Sequence, residues 1–439
     1  MDGAASGPVT RSRPDGPRRS GIQTRNLSIE PNNILDHGTP RRLSRVGTRA
    51  DTMFDLDQDY PRDMVGYGRH RPDPRWPAGK RVAVQFVVNY EEGGENCILH
   101  GDAASEAFLS EIVGALPWLG QRHANMESIY EYGARAGFWR LWRAFTRRNL
   151  PVTVFGVASA MQRNPEAVAA MGEAGWEIAS HGLRWIDYRD HSPEAERADI
   201  DAAVALQTAL TGSRPLGLYQ GRTSTNTLAL GAAEGGFLYL ADSYADELPY
   251  WIMAGGRQQL VVPYTLDAND MRFATAQGFN TGDHFFAYLK DSFDLLYREG
   301  ESGQGGMMSV GLHCRLVGRP GRAAALERFL DYVGDHPGAW VTTRLDIARH
   351  WIAAHPPRGG YRPSRMGPAL FREVFGPVCA ATTGCSAEAG DAAAGRVFAA
   401  GLGPEADSAP DLARRLAQAA HAPADERALR TKLETLLGR

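Results

Sequence analysis

From Arg81 onward the chain alternates short β-branched apolar runs with stretches whose apolar residues recur at helical spacing, the pattern of βα units around a mainly parallel sheet. RVAVQFVVNY, ending at Tyr90, reads as the first strand. VTVFGV, WEIAS, PLGLY, FLYLADSY, QLVVPY, MMSVGLH and AWVTT read as the later ones. Between the first two, FWRLWRAFTRR places Phe138, Leu141, Trp142 and Phe145 at i, i+3, i+4 and i+7, so they share one buried helical face. Asn164 as N-cap with Pro165 at N1 opens a further helix that Gly175 ends, and Ser192 with Pro193 opens another that runs to Gly212. HFFAYLKDSFDLLY and AAALERFLDYV read as the later helices. Seven or eight strands within about 270 residues suit a (β/α) barrel; an open doubly wound sheet is the alternative, because strand order is not written in the pattern.

The pattern lapses at both ends. Residues 1–52 contain no Phe, Trp or Tyr and carry nine arginines against five acids, too little apolar surface to offset ordering entropy. A disordered basic arm is expected there. The composition changes at MFDLDQDYPRDMVGYG, so a start at Met53 is the alternative reading of that arm, and an Arg-rich transit peptide fits less well because acids are present. A catalytic region over residues 53–355 follows. After His355 comes an Ala, Gly and Pro-rich tail over residues 356–439, with short helices expected near DLARRLAQAA and ERALRTKLETLL, the latter with Leu429, Leu433 and Leu436 on one face. That tail reads as a partly ordered appendage or an oligomer contact.

Composition narrows the function. The 439 residues are 43% hydrophobic and carry a formal net charge of -3, which leaves no basic excess to attract nucleic acid or an anionic membrane. No run approaches the roughly 20 apolar residues of a membrane span, and the opening MDGAASGPVT has no charged n-region followed by an apolar h-region. Cys97, Cys314, Cys379 and Cys385 are irregularly spaced, which suits a reducing cytoplasm better than a disulfide framework.

Barrel active sites form where strands deliver side chains at their C-terminal ends. By that filter the first strand offers Asn89, Tyr90, Glu91, Glu92, Gly93, Gly94 and Glu95; WEIAS offers Ser180 and His181; PLGLY offers Tyr219, Gln220, Gly221 and Arg222. Later strands add Asp242 and Asp246, then Asp267 and Asp270, then His313, Cys314 and Arg315. Carboxylates, histidines and arginines recurring at one rim point to a pocket with acid, base and oxyanion groups. Glu91 and Glu92 follow directly on an apolar strand, so they point to opposite faces and only one need enter the pocket. His181 is either a structural histidine or a working one. His313 has the stronger case because Arg315, a fixed cation, follows it. Arg222 is suited to the same part, the alternative for both arginines being surface pairing with acids. Trp185, Tyr250 and Trp251 read as pocket wall or core, and the stretch from Gly318 to Arg322 as an anion nest or a helix-start loop.

The order NYEEG, SHGLRW, LH resembles the successive motifs of the polysaccharide deacetylase superfamily. Longer strings, NYEEGGEN, LHGDAASE, MESIYEYGARAGFWRLWR, GWEIASHGLRWIDY, ADSYADELPYW, PYTLDANDMRF and SVGLHCRLVGRPGR, are similar to the PuuE-type, urate-pathway allantoinases from about Asp59 to Trp351. The resemblance implies an α/β fold, a distorted (β/α) barrel of the polysaccharide deacetylase (NodB-like) type with flanking low-complexity tails. It also implies hydrolysis of allantoin to allantoate, a small ureide as substrate, and a homo-oligomer. Metal-dependent members of the superfamily supply two aspartates from the first motif, a base and a metal ligand, and two histidines four residues apart from the second. Those places hold Glu91, Glu92, His181 and Trp185 here. A divalent ion such as zinc would keep Glu92 and His181 alone, unless Asp187 or Asp242 completed the set, whereas catalytic zinc takes three protein ligands. The PuuE-type branch is understood to act without a metal, so no metal or other cofactor is expected. On this reading Glu91 is the base and His313 the general acid, while Glu92, His181, Trp185, Arg222, Asp242 and Arg315 hold water or substrate. The alternatives are a metal-dependent deacetylase of an N-acetyl sugar, another cyclic imidase, and an inactive barrel serving as a binding module.

Overall fold

A computed structural model describes residues 53–357, 362, 366–400, 408–420 and 426–437. The expected basic arm, residues 1–52, lies outside them. Ten strands form one sheet: β1 (Phe54–Asp55), β2 (Val82–Tyr90), β3 (Thr153–Gly156), β4 (Glu177–Ser180), β5 (Gly217–Leu218), β6 (Tyr239–Leu240), β7 (Tyr250–Ala254), β8 (Arg257–Val261), β9 (Met307–His313) and β10 (Ala339–Val341). Their order is β1-β7-β8-β6-β5-β4-β3-β2-β10, with β9 also on β2. Every pairing is parallel except the β7–β8 hairpin.

β2 organises the sheet. All nine of its residues are buried, which is why VAVQFVVNY reads as a continuous apolar run instead of an alternation. β9 lies along Ala83–Asn89, β3 along Val87–Tyr90, and β10 beside Val82–Val84. These registers set Asn89 opposite His313, Tyr90 opposite Gly156, and Gly156 opposite Ser180. Glu91, His181 and His313 therefore emerge at one level of one rim. The hydrogen-bonded ladder runs from β1 at one side to β9 at the other without closing, and a parallel bridge, Asn269 to Gly311, joins the segment after β8 to β9. A Cβ on Gly311 would fall 2.2 Å from Asn269 Nδ2, so only glycine lets the barrel draw together there. Val87, Phe155, Tyr219, Tyr239, Leu260 and Tyr264 contribute to an apolar cluster within the strands, and Phe86, Phe138, Phe145, Phe293 and Phe329 to the one under the helices.

The expected helix boundaries are present with their caps: Asn164 Oδ1 accepts from Ala167 N at 3.2 Å, Ser192 Oγ from Ala195 N at 3.2 Å, and Gly212 ends its helix at φ 77°. Three features were not anticipated. β1 is one. The second is β7, joined to β8 through Gly255 and Gly256 at φ 55° and 69°; two glycines between apolar runs are the hairpin signal that reveals it. Tyr250 and Trp251 sit in that hairpin rather than in a pocket wall, with Tyr250 Oη 2.6 Å from Ser243 Oγ and Trp251 Nε1 donating to His355 O at 2.8 Å.

The third is the extent of the tail: the helices expected near DLARRLAQAA and ERALRTKLETLL are present, and two more precede them. Its described residues form four helices, Pro368–Thr383, Ala387–Ala399, Ala409–Ala419 and Glu426–Leu436. Phe371, Phe375, Leu412, Leu416 and Leu433 share one apolar cluster with Trp351 and Leu260 of the barrel. A Cβ on Gly390 would fall 2.5 Å from Gly376 O, so the first two helices cross at glycines. That crossing through Gly leaves little of the large-residue periodicity by which these two helices would be read in a sequence.

Candidate active site

Strand alternation separates the two glutamates that follow β2. Glu91 faces the barrel mouth, where its Oε1 lies 3.2 Å from His181 Nε2 and 3.4 Å from His313 Nε2, and its Oε2 lies 2.7 Å from Arg315 Nη1. His313 Nδ1 sits 2.6 Å from Asp270 Oδ1, and the second oxygen of Asp270 accepts the His313 and Val317 amides at 2.8 and 2.9 Å. Asp270 thus fixes the ring and turns Nε2 toward Glu91. Glu92 turns the other way. Its Oε1 accepts from Arg315 N at 3.1 Å and its Oε2 from Glu91 N at 3.2 Å, so its carboxylate clamps backbone under the helix that carries Gly133.

The electrostatics follow from this arrangement. Burial pushes the Glu91 carboxyl up, but Arg315, His313 and hydrogen bonds from both imidazoles outweigh it and hold the group well below the usual carboxylate range. Burial disfavours charge on His313, yet Glu91 and Asp270 prevail and raise it to about 9. Burial raises Glu92, with Arg315 opposing and Glu91 reinforcing the shift. At neutral pH the mouth therefore contains a carboxylate, an imidazolium and a guanidinium in contact. Arg315 is held in place by Leu109 O, 2.8 Å from its Nε, and lies over Tyr130 and Trp185 at 4.3 and 5.0 Å from the ring centroids.

The remaining predicted residues surround this group. Trp185 stands between two cations, with Arg222 at 4.5 Å from its ring centroid. Arg222 is itself bound by Glu106, at 3.2 and 3.3 Å, and by Trp185 O at 3.1 Å. Asp242 accepts the Gln220 and Gly221 amides at 2.7 Å each, so it braces the loop after β5; burial, opposed by those bonds, leaves it at about 6. Asp187 is exposed and pairs with Arg189 at 3.3 Å. The segment from Gly318 to Arg322 leads into the helix Pro320–Gly334, and Arg322 meets Glu111 at 2.7 Å. Asp270 was among the strand-end residues expected at the rim but was given no role there, and Glu106 and Tyr130 were not singled out.

A divalent ion at Glu92 and His181 does not fit this geometry. His181 Nε2 points to Glu91, while Glu92 is engaged by Arg315 and packed against Gly133. Neither Asp242 nor Asp187 joins them. Among the described residues no three His, Cys, Asp or Glu side chains are grouped to hold a metal.

The polysaccharide deacetylase family model matches residues 125–234. A Schizosaccharomyces pombe protein bearing the polysaccharide deacetylase name is 41% identical over 314 residues, which span 67% of this chain and 98% of that one. This chain belongs to the polysaccharide deacetylase family. It is a hydrolase of that superfamily, and its architecture is the NodB-like one. A Pseudomonas aeruginosa PAO1 structure carrying the same family name is 57% identical, with a TM-score of 0.67, and the match covers 68% of this chain and 99% of that one. A solved structure of Puue allantoinase is 56% identical, again with a TM-score of 0.67 and coverage of 68% and 99%. That similarity puts the chain among the PuuE-type members of the superfamily. Among the described residues no helix is long and apolar enough to cross a membrane.

Proposed function

We propose that this hydrolase opens the hydantoin ring of allantoin to give allantoate. The observation that carries the reading is the Glu91–His313–Asp270 chain of contacts beside Arg315, in a protein 56% identical to Puue allantoinase across 99% of that structure. Opening a cyclic amide needs a base for water, charge stabilisation at the tetrahedral oxygen, and an acid for the departing nitrogen. In this mechanism Glu91, with His181 on its Oε1, takes the proton of the attacking water. The guanidinium of Arg315, buried and ion-paired with Glu91 through Nη1 at 2.7 Å, faces the oxygen that gains charge. As the ring C–N bond breaks, the His313 imidazolium protonates the nitrogen. The 3.4 Å between Glu91 Oε1 and His313 Nε2 then lets the water-derived proton pass back to His313 and reset the site. Glu106, Phe108 and Leu109 lie on one segment against Arg222, Trp185 and Arg315, a wall suited to a single small ring more than to a polymer. The enzyme on this reading uses no metal or other cofactor and works as a cytoplasmic homo-oligomer.

The test is allantoate formation from allantoin by chelator-treated protein, with and without added zinc. Turnover that chelation leaves intact is expected. The name of the Schizosaccharomyces pombe relative supplies the second reading, deacetylation of an N-acetyl sugar; acetate release from such a sugar, with no allantoate formed, would replace the first.

A further inference from the structure

The helix that begins at Ala124 is continuous through Thr146 but carries a π-helical turn, Gly133–Gly137, in its middle. Such turns insert one extra residue into the helix and recur at functional sites. Here one face of the helix meets the active site three times. Tyr130 lies under the Arg315 guanidinium, Gly133 faces the Glu92 carboxylate, and Gly137 faces the Cys314 carbonyl. A Cβ on Gly133 would fall 2.3 Å from Glu92 Oε1, 2.6 Å from its Cγ and 2.7 Å from its Cδ. Gly133 has ordinary helical angles, φ -57° and ψ -50°, so glycine is needed there for space and not for backbone freedom.

Glu92 has nowhere cheap to go. It is 3% exposed, and its two oxygens hold the Glu91 and Arg315 amides, the two backbone points from which the mouth carboxylate and the mouth guanidinium project. Displacing Glu92 therefore moves Glu91 and Arg315 relative to each other, and displacements of an ångström at such groups are costly to catalysis. We infer that Gly133 is a positioning residue for the hydrolytic reaction: the bare π-helical turn is the seat that lets a glutamate, one methylene longer than aspartate, occupy position 92 and clamp Glu91 to Arg315. Gly133 touches no substrate. It acts through Glu92.

This inference rests on the proposed function for its activity readout but not for its stability readout, so the two can fail separately. The experiment is a double-mutant cycle of Gly133→Ala and Glu92→Asp on the full chain, read as kcat and KM for allantoin and as the midpoint of thermal unfolding. Gly172→Ala, at a helical glycine with no atom within 4 Å of the added Cβ, is the control for helix propensity. Gly133→Ala is expected to cut kcat by about 100-fold with KM within about threefold, and to lower the unfolding midpoint, against at most a small rise in the control. Glu92→Asp, whose carboxylate is shorter, is expected to lose about tenfold in kcat. The double variant should be no worse than Glu92→Asp alone, in both turnover and unfolding midpoint. Effects that multiply, or a Gly133→Ala enzyme with unchanged kcat and midpoint, would overturn the coupling. If Gly133→Ala does not fold, recovery of fold in the double variant supports the proposal and its failure to fold overturns it. If the unaltered enzyme does not turn over allantoin, the stability cycle still decides the coupling while the functional reading falls.

Discussion

Arg315 and Arg344 are both fully buried, and they show two different uses of a buried guanidinium. Arg344 lies inside the barrel, where its Nη atoms donate to Gln85, Ser309, Val262 O and Pro263 O and its guanidinium lies near the rings of Phe155, Tyr239 and Tyr264. Its partners are neutral. Burial lowers its affinity for the proton more than nearby tyrosines and Glu177 restore it, and Glu177 is itself raised by burial, with Thr153, Tyr239 and the Leu345 amide as its partners. Arg315 sits among charges. Burial works against it too, but Tyr130, Glu91 and Glu92 together push it above its ordinary value, and its Nη1 pairs with Glu91 at 2.7 Å and lies 3.5 Å from Glu92. Burial of a cation does not by itself mark a site. Contact with carboxylates at the mouth does, because a cation already held among charges there can stabilise a developing oxyanion with little reorganisation.

The comparison can be broken in several places. The largest effect is expected at the mouth: Glu91→Gln or His313→Ala should lower kcat by about 10² to 10⁴-fold, the range of a general acid or base, with circular dichroism unchanged. Near-normal turnover in both would remove the acid–base assignment. Next come the two arginines. Arg315→Met should cost about 10² to 10³-fold in kcat, as loss of an oxyanion donor does, and should also lower the denaturant midpoint, because Glu91 and Glu92 lose their buried counter-charge. Arg344→Met should lower stability by about 3 kcal/mol through the acceptors left unpaired while the folded fraction keeps its kcat. An unchanged kcat in folded Arg315→Met, or a kcat loss of that size in folded Arg344→Met, would show that the electrostatic distinction is misdrawn.

A smaller effect sharpens the picture through pH. His313 titrates at about 9, above the ordinary 6.5 of the residue, so its imidazolium contributes stability in full below about 6.5 and loses it as pH rises through about 9. Activity that needs this acid should fall over the same alkaline limb. Asp270→Asn removes one of the two charges that raise the group, and the alkaline limb of kcat should move down by about one pH unit. An unmoved limb would mean that another group carries the acid. The smallest change is expected at Asp242→Asn, which loses one good acceptor for the Gln220 and Gly221 amides; KM should rise about two- to fivefold with kcat little altered, a loss of about 0.5–1 kcal/mol in positioning.

The sequence by itself determined the βα alternation, eight of the ten strands, the capped helix starts at Asn164 and Ser192, and the identity of the rim residues, because each of these is written in spacing over a few neighbouring residues. Even the β7–β8 hairpin was legible in its two glycines. The tertiary structure decided what those residues do. Nothing local to NYEEGG says that Glu91 would meet two histidines and an arginine while Glu92 turned away to seat under Gly133; parallel register across β2, β3, β4 and β9 says it. The same holds for Asp270 on His313, 43 residues apart, and for Arg222, which Glu106 claims from 116 residues away. The tail helices belong with these. The first two cross at Gly376 and Gly390, which leaves little periodic trace in a sequence, the last two keep the leucine spacing by which they were read, and only the packed chain reveals that all share the barrel's core.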